Sequence, residues 1–435
     1  MAHDERDGGL DGVVAVVRRA PFSDNPAVGA RGQRTQQRIL DAALRAFGED
    51  GYRGCSVDQI TRLAKCSRVS FYQYFANKEE VFRQLAGQVA RQVSASTEAL
   101  DPLTGDLEGW AAMRAWVGRY TEIHARYEPV FHSLEADAAL AAMARQTGEE
   151  TITRIHARLA TTSLPHRQLD PVVRMLLECL NHTLDVSGIL RSLSPNAVAS
   201  ERVEIAITDV LHRTLFGLRS EVNVHPAGPA LPTLDLGPGM RSLLDGGRSV
   251  EPDESVNVAF KALLTSARDV FLERGYHETR VDDLVSAAGV SHGAFYRYFR
   301  NKEELARILT ARAVAAVGSA VMELPELAAL EGSAGTTVLR RWLRRYHAAH
   351  ANEVAMLRVW VDASLQEPAI RSESAPLLDW GRRRLAVNLR ARGFGDDDVE
   401  AVVMVALLGV FGARPRPPAE IEAAAHIIER GLLGH

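Results

Sequence analysis

Apolar positions recur every three to four residues over most of the chain, the spacing of one face of an α-helix. In "TQQRILDAALRAFGEDGY", Leu40, Ala43 and Phe47 fall on one face, with Thr35 as a candidate N-cap and Gly51 as a stop. "SVDQITRLA" opens with Ser56 and, three residues on, Gln59, the signature of a capping box. After the break "KCS", a short helix capped by Ser67 holds "FYQYF", residues 71–75. Asn77 can cap a fourth helix, with Glu80 at its third position. Little in the chain alternates with the period of two that strands require, so the expected fold class is all-α.

This pattern is written twice. "FYQYFANKEE" at 71–80 returns as "FYRYFRNKEE" at 295–304, and Phe47, Gly51, Tyr52, Val57, Asp58, Ala64 and Ser67 have counterparts at the same spacing, an offset of 224 residues from Gly51 to Gly275. A repeat that long is a whole unit and not a solenoid turn. Each copy reads as helix, tight turn, helix, the pattern whose second helix enters the major groove of DNA. In the aromatic string, Phe71 and Phe75 are four apart and share an inward face, as do Phe295 and Phe299. Tyr72 and Tyr74, like Tyr296 and Tyr298, lie off that face, where ring and hydroxyl suit phosphate or base contact. A wholly buried aromatic cluster is the plainer alternative for the tyrosines.

Length and charge narrow the reading. The chain has 435 residues, more than one core accommodates, and 46% of them are apolar. No uninterrupted apolar run reaches the roughly 18–20 residues that span a bilayer, the N-terminus carries no signal-peptide core, and three cysteines make no disulfide framework. These features lead us to expect a cytoplasmic protein with no membrane partner. The chain carries net charge −4, yet 31–91 holds 11 basic and 6 acidic residues and 256–312 holds 9 and 7. Both copies are therefore positive inside a negative chain, as phosphate contact requires, although charge alone also describes an ordinary solvated face. Of 51 basic residues only Lys65, Lys78, Lys261 and Lys302 are lysines, a bias that suggests a GC-rich bacterial genome.

The two strings "RILDAALRAFGEDGY…SVDQITRLAKCSRVSFYQYFANKEEVF" and "SARDVFLERGYHETRVDDLVSAAGVSHGAFYRYFRNKEELA" resemble the DNA-binding domain of the TetR family of bacterial transcriptional repressors. The resemblance covers about 50 residues in each copy. It implies two fused units, each a three-helix reader followed by an all-helical effector and dimerisation domain. It also implies DNA contacts at Arg68, Val69, Ser70, Tyr72, Gln73, Tyr74 and Lys78, and in the second copy at His292, Gly293, Ala294, Tyr296, Arg297, Tyr298 and Lys302. The first copy departs from the pattern in its turn, where Lys65 stands in place of Gly289, and at Val69 in place of Gly293. If that turn is left-handed, the lysine costs about 1–2 kcal/mol.

The expected organisation is a disordered arm over 1–30, readers over 31–91 and 255–315, helical domains over 92–219 and 316–435, and a Pro/Gly-rich linker over 220–254. The linker can extend to roughly 120 Å. Arg31 and Arg34 precede the first helix, where such arms can enter a minor groove, and an idle tail is the plainer alternative. The repeat continues weakly into the helical domains, where Trp116, Tyr120 and His124 match Trp342, Tyr346 and His350. Each trio is a stripe on one helix, which is either plain core or the wall of an effector pocket. His347, His350 and Glu353 also have helical metal-ligand spacing, and Cys55 and Cys66 flank the first turn as buried thiols or a redox pair.

No enzyme motif is present, and no cofactor is expected. Segments 170–190 and 201–218, with counterparts at 397–413 and 419–433, read as interface helices that build a four-helix bundle. The expectation is a repressor that binds a double-stranded DNA operator and is released by a hydrophobic small molecule such as a lipid or acyl thioester. One chain would form its own pseudo-dimer, with unlike half-sites about 34–36 Å apart. A homodimer carrying four readers is the other arrangement the sequence allows. The competing class is a protein-interaction scaffold whose readers no longer bind DNA.

Overall fold

The computed structural model describes residues 29–134, 138–160, 162, 164–193, 198–219, 221–222, 258–326, 332–366, 368–412 and 416–435. The expected arm, save its last two residues, and all of the expected linker but 221–222 lie outside them. Among the described residues there is no strand, only an isolated bridge between Leu103 and Leu159. The chain divides into two compact units, Met1–Ala86 and Gly87–His435.

The first unit is a reader built from α1 (Ala30–Gly54), α2 (Val57–Leu63), α3 (Arg68–Tyr74) and the start of α4 (Lys78–Glu98). The helix α1 begins earlier than Thr35, whose hydroxyl instead donates to Arg31 O at 3.1 Å. The helix starts after Gly29 instead, and Gly32, the single glycine between that cap and Thr35, does not interrupt it. Gly51 ends its regular part at φ 70°, a conformation that favours glycine. Ile39, Leu40, Ala43, Phe47, Phe71, Phe75 and Phe82 are buried, with the Phe47 and Phe82 ring centroids 5.8 Å apart. Ser56 and Gln59 form the expected capping box, and Asn77 caps α4 by accepting from Glu80 N at 2.8 Å.

The second unit takes in the rest of α4 from Gly87, then α5 (Leu107–Phe131), α6 (Ala138–Arg158), α7 (His166–Leu193) and α8 (Ser200–Phe216). A second reader follows: α9 (Val258–Glu278), α10 (Val281–Ala288), α11 (His292–Tyr298) and α12 (Lys302–Met322). The chain ends with α13 (Gly332–Gln366), α14 (Pro368–Leu389), α15 (Asp397–Gly412) and α16 (Pro418–His426), the last running into a wider π turn over 427–432. This reader shares its core with the next domain: Met356 of α13 is buried among Phe271, Phe295 and Phe299, and Arg268 pairs with Glu353 at 2.8 Å. By length and a mean hydropathy of 1.5, α12 is apolar enough to cross a membrane. Here it buries Leu305, Leu309 and Ala313 in that reader core.

The segments read as interface helices pack together within the chain, α7 on α15 and α16, and α8 on α15 and the π turn. Ion pairs join the two halves: Arg202 to Asp396 at 2.7 Å, Arg416 to Glu178 at 3.0 Å, and Arg213 to Glu400 with both side chains fully buried. Arg213 also donates to Gly431 O at 2.7 Å. These pairs are one-sided. Aligned by sequence, Val173 on α7 holds the place of Glu400 on α15, and Arg430 holds that of Arg213, so the mirror-image contact has no carboxylate. Where the two aligned helices meet, His182 lies against Gly409, its own counterpart, and a Cβ there would come within 2.7 Å of Nε2.

Candidate DNA-reading surfaces and effector domains

In each reader the recognition helix is held by its neighbours and turns one face to solvent. Ser67 and Ser291 cap α3 and α11, accepting from Ser70 N at 3.0 Å and Ala294 N at 3.2 Å. Phe71 and Phe75 are buried with ring centroids 5.8 Å apart, and Phe295 and Phe299 at 5.5 Å. Arg68, Val69, Tyr72 and Gln73 are exposed, as are His292, Gly293, Tyr296 and Arg297, while Ser70 and Ala294 are half-buried. The tyrosines divide. Tyr72 and Tyr296 face outward, whereas Tyr74 and Tyr298 are half-buried, and Tyr298 packs edge-on against Phe260 at 5.4 Å. Helical geometry explains the split, because Tyr298 lies one residue before the inward Phe299 and three after Phe295.

Two contacts were not foreseen. Arg68 makes a two-pronged ion pair with Asp58 of α2, holding that carboxyl below its ordinary value. His292 repeats the link to Asp282, Nε2 to Oδ1 at 2.6 Å. These links tie the exposed first residue of the recognition helix to the helix before it. The repeat itself carried the signal, since Asp58 and Asp282 recur at the common offset. The lysines expected at phosphate also do something else. Lys78 Nζ donates to Tyr52 O at 2.8 Å and Cys55 O at 3.0 Å, and lies over the Tyr52 ring. Lys302 does the same with Tyr276 O, Thr279 O and the Tyr276 ring. Each ammonium clamps the carbonyls that the glycine-broken end of the first helix leaves unpaired.

The turns differ as the sequence implied. Gly289 is left-handed at φ 64°, and Lys65 adopts the same region at φ 49°. It is the one non-glycine with positive φ among the described residues. Burial pushes the Cys55 thiol up to about 11 and raises that of Cys66, so neither is poised as a thiolate.

Both stripes of the helical domains are buried: Trp116, Tyr120 and His124 on α5, Trp342, Tyr346 and His350 on α13. Their surroundings are unlike. Trp116 borders a void of about 30 Å³ for a water-sized sphere, lined only by carbon-rich side chains including Met113, Leu176, Leu177, Leu211 and Leu215. One turn on, the Tyr120 hydroxyl donates to Asn181 Oδ1 at 2.8 Å. A further turn on, His124 and His132 both point Nε2 at Asp185 Oδ1, at 3.1 and 3.0 Å. In the other half, Trp342 donates to Ala320 O at 2.9 Å, and burial holds His350 down to about 4. Asn181, Asp185 and His132 were not singled out from sequence, although polar residues four apart in the apolar run of α7 were a visible signal. The trio His347, His350 and Glu353 is not assembled, because Glu353 pairs with Arg268 and the His347 ring packs on Phe411. Among the described residues no group of three His, Cys, Asp or Glu side chains is arranged to hold a metal ion.

Comparison with known proteins agrees with these surfaces. Residues 39–85 and 263–308 each match the family model for bacterial regulatory proteins of the tetR family. The Transposon Tn10 TetC protein of Escherichia coli is 38% identical over 52 residues, 12% of this chain and 26% of that protein. The HTH-type transcriptional repressor NicS of Pseudomonas putida is 40% identical over 57 residues, 12% of this chain and 27% of the relative. A longer match, 28% identical over 115 residues, joins 25% of this chain to 59% of the HTH-type transcriptional repressor AcnR of Corynebacterium glutamicum. The chain thus spans less than two thirds of the length of each of these relatives.

Proposed function

The chain carries two TetR-like units in tandem, and we propose that it is a DNA-binding transcriptional regulator, a repressor released from its operator by a hydrophobic small molecule. The observation that carries this reading is the doubled reader. Two copies hold the same serine cap, the same lysine clamp and an outward recognition face, and each matches the family model. A scaffold would have no need to keep two such faces. Arg297 on the second helix suits guanine and Gln73 on the first suits adenine, so the two faces read different bases.

The cross-half bundle supports one chain acting as its own pseudo-dimer. Pairing the first half with another first half would set Arg213 against Val173 and leave its buried guanidinium only the 3.8 Å contact to Asp209 of its own helix, which is unfavourable. Effector binding then favours an arrangement of the readers that the operator does not fit, and DNA is released by population shift. The test is retention of the full chain on random duplex across a salt series, with light scattering on the same sample. A steep salt slope and a particle near 47.6 kDa are expected. Salt-independent retention, or none, would favour the scaffold reading.

A further inference from the structure

The two helical domains share a template but end differently at the polar tip of the stripe. In the first half, Asp185 lies between His124 and His132, and His182 Nδ1 stands 3.9 Å from its other oxygen, beyond hydrogen-bond length. Burial alone would raise the Asp185 pKa, but the two imidazoles beside it outweigh that and hold the carboxyl well below its usual range. His124 is buried, yet its Nε2 makes no properly directed hydrogen bond. In the second half, His350 stands in the place of His124, but its ring lies on Gly412, where a Cβ would collide with it. By the register that sets His182 against Gly409, Gly412 replaces Asp185 and Leu408 replaces Asn181. The second half has therefore lost both polar anchors.

Resting on the effector reading above, we propose that only the first half binds the effector, and that the effector is an amphiphile with a basic nitrogen. Its apolar body enters the void beside Trp116, and its N–H groups pair with Asp185. Both places lie on one seam between α5 and α7. Trp116 and His124 are eight residues apart on one helix, a span of about 12 Å, the reach of a medium-length alkyl chain. The void offers only apolar contact, so it takes the tail. The head meets an ionised carboxylate with one oxygen beyond hydrogen-bond reach of His182. An ammonium gains a charge-assisted hydrogen bond there, whereas a carboxylate head would face a like charge in a poorly solvated place. The void is water-sized, so binding must move a wall, and that movement is what couples the site to the readers.

Calorimetric titration of the DNA-free full chain tests this, with octylamine, 4-phenylbutylamine, octanol and octanoate as probes below their aggregation limits. One amine per chain is expected, with at least tenfold weaker octanoate binding. The amines should also change the intrinsic tryptophan fluorescence, and Trp116→Phe should abolish most of that change; Asp185→Asn should weaken the amines at least tenfold, and His350→Gln should leave them unchanged. Two amines per chain, octanoate binding as tightly as octylamine, no saturable binding of either amine, or unchanged amine affinity in Asp185→Asn would each overturn the proposal. The comparison of amine with acid on the unaltered chain decides the matter even if a variant fails to fold. Duplex retention of the same preparation reports separately on DNA binding, so failure here is distinguishable from failure of the regulator reading.

Discussion

Lys65 and Gly289 occupy the same turn of the two readers, at φ 49° and φ 64°. The glycine takes that shape without cost, and the lysine pays roughly 1–2 kcal/mol for it. The first reader is a compact unit of its own, whereas the second shares Met356 and the Arg268–Glu353 pair with the domain that follows. The helical domains diverge too, with Asp185 and Asn181 facing Gly412 and Leu408 in the aligned register. The two halves share a template, and the differences with a physical consequence include turns, anchors and cross-half charges. The core stripes have stayed alike.

The largest effect expected from disturbing this asymmetry is at the cross-half ion pair. Glu400→Val gives α15 the residue that α7 carries and takes the carboxylate from both Arg213 and Arg392, so urea unfolding should show a loss of about 3–5 kcal/mol. The double variant Arg213→Met, Glu400→Val should recover part of it, the remainder being the Arg392–Glu400 pair at 2.6 Å. An unchanged unfolding midpoint in Glu400→Val would mean that the pair does not hold the halves together. Next comes acid. His350 and His426 are both held near 4 by burial. Unfolding lets them return toward 6.5, so the unfolded chain binds more protons and stability falls as pH drops from about 6.5 toward 4. By pH 5 each contributes a loss on the order of 2 kcal/mol relative to pH 8. A flat melting temperature over that window would contradict their burial.

The lysine clamp distinguishes positioning from phosphate contact. Lys302→Ala should cost roughly 1–3 kcal/mol of stability, because it leaves two carbonyls without their donor, and it should weaken DNA binding as well. Normal stability with a shallower salt slope would restore a purely electrostatic role. The smallest effect tests the turn itself: Lys65→Gly should stabilise the chain by about 1 kcal/mol, and Gly289→Lys should do the reverse by a similar amount. Differential scanning calorimetry on the pair checks both signs.

Much of this was legible because it is local. The helix spacing, the Ser67 and Asn77 caps, the inward phenylalanines and the glycine stop all follow from residues within a turn or two of each other. The left-handed turn at Lys65 was readable only because a second copy displayed glycine there. What escaped was non-local. Lys78 reaches back 26 residues to Tyr52, and no spacing rule separates such a clamp from a phosphate contact. Asp185 gathers two histidines eight residues apart at the C-terminal end of α5, and Arg213 meets Glu400 across 187 residues. Those contacts depend on how helices pack, which periodicity does not encode. Thr35 failed as a cap for a simpler reason: the helix starts after Gly29, one turn and a half earlier, and Gly32 does not interrupt it.

The central claim is that one chain pairs two unlike readers and so recognises an unsymmetrical site. Selection of binding sites by the full chain from a pool of randomised duplexes tests it most directly. The account predicts two dissimilar half-sites in a fixed spacing, one altered by Gln73→Ala and the other by Arg297→Ala, each change relaxing one position by about 1–3 kcal/mol. A perfect palindrome, with both substitutions relaxing both half-sites equally, would contradict it.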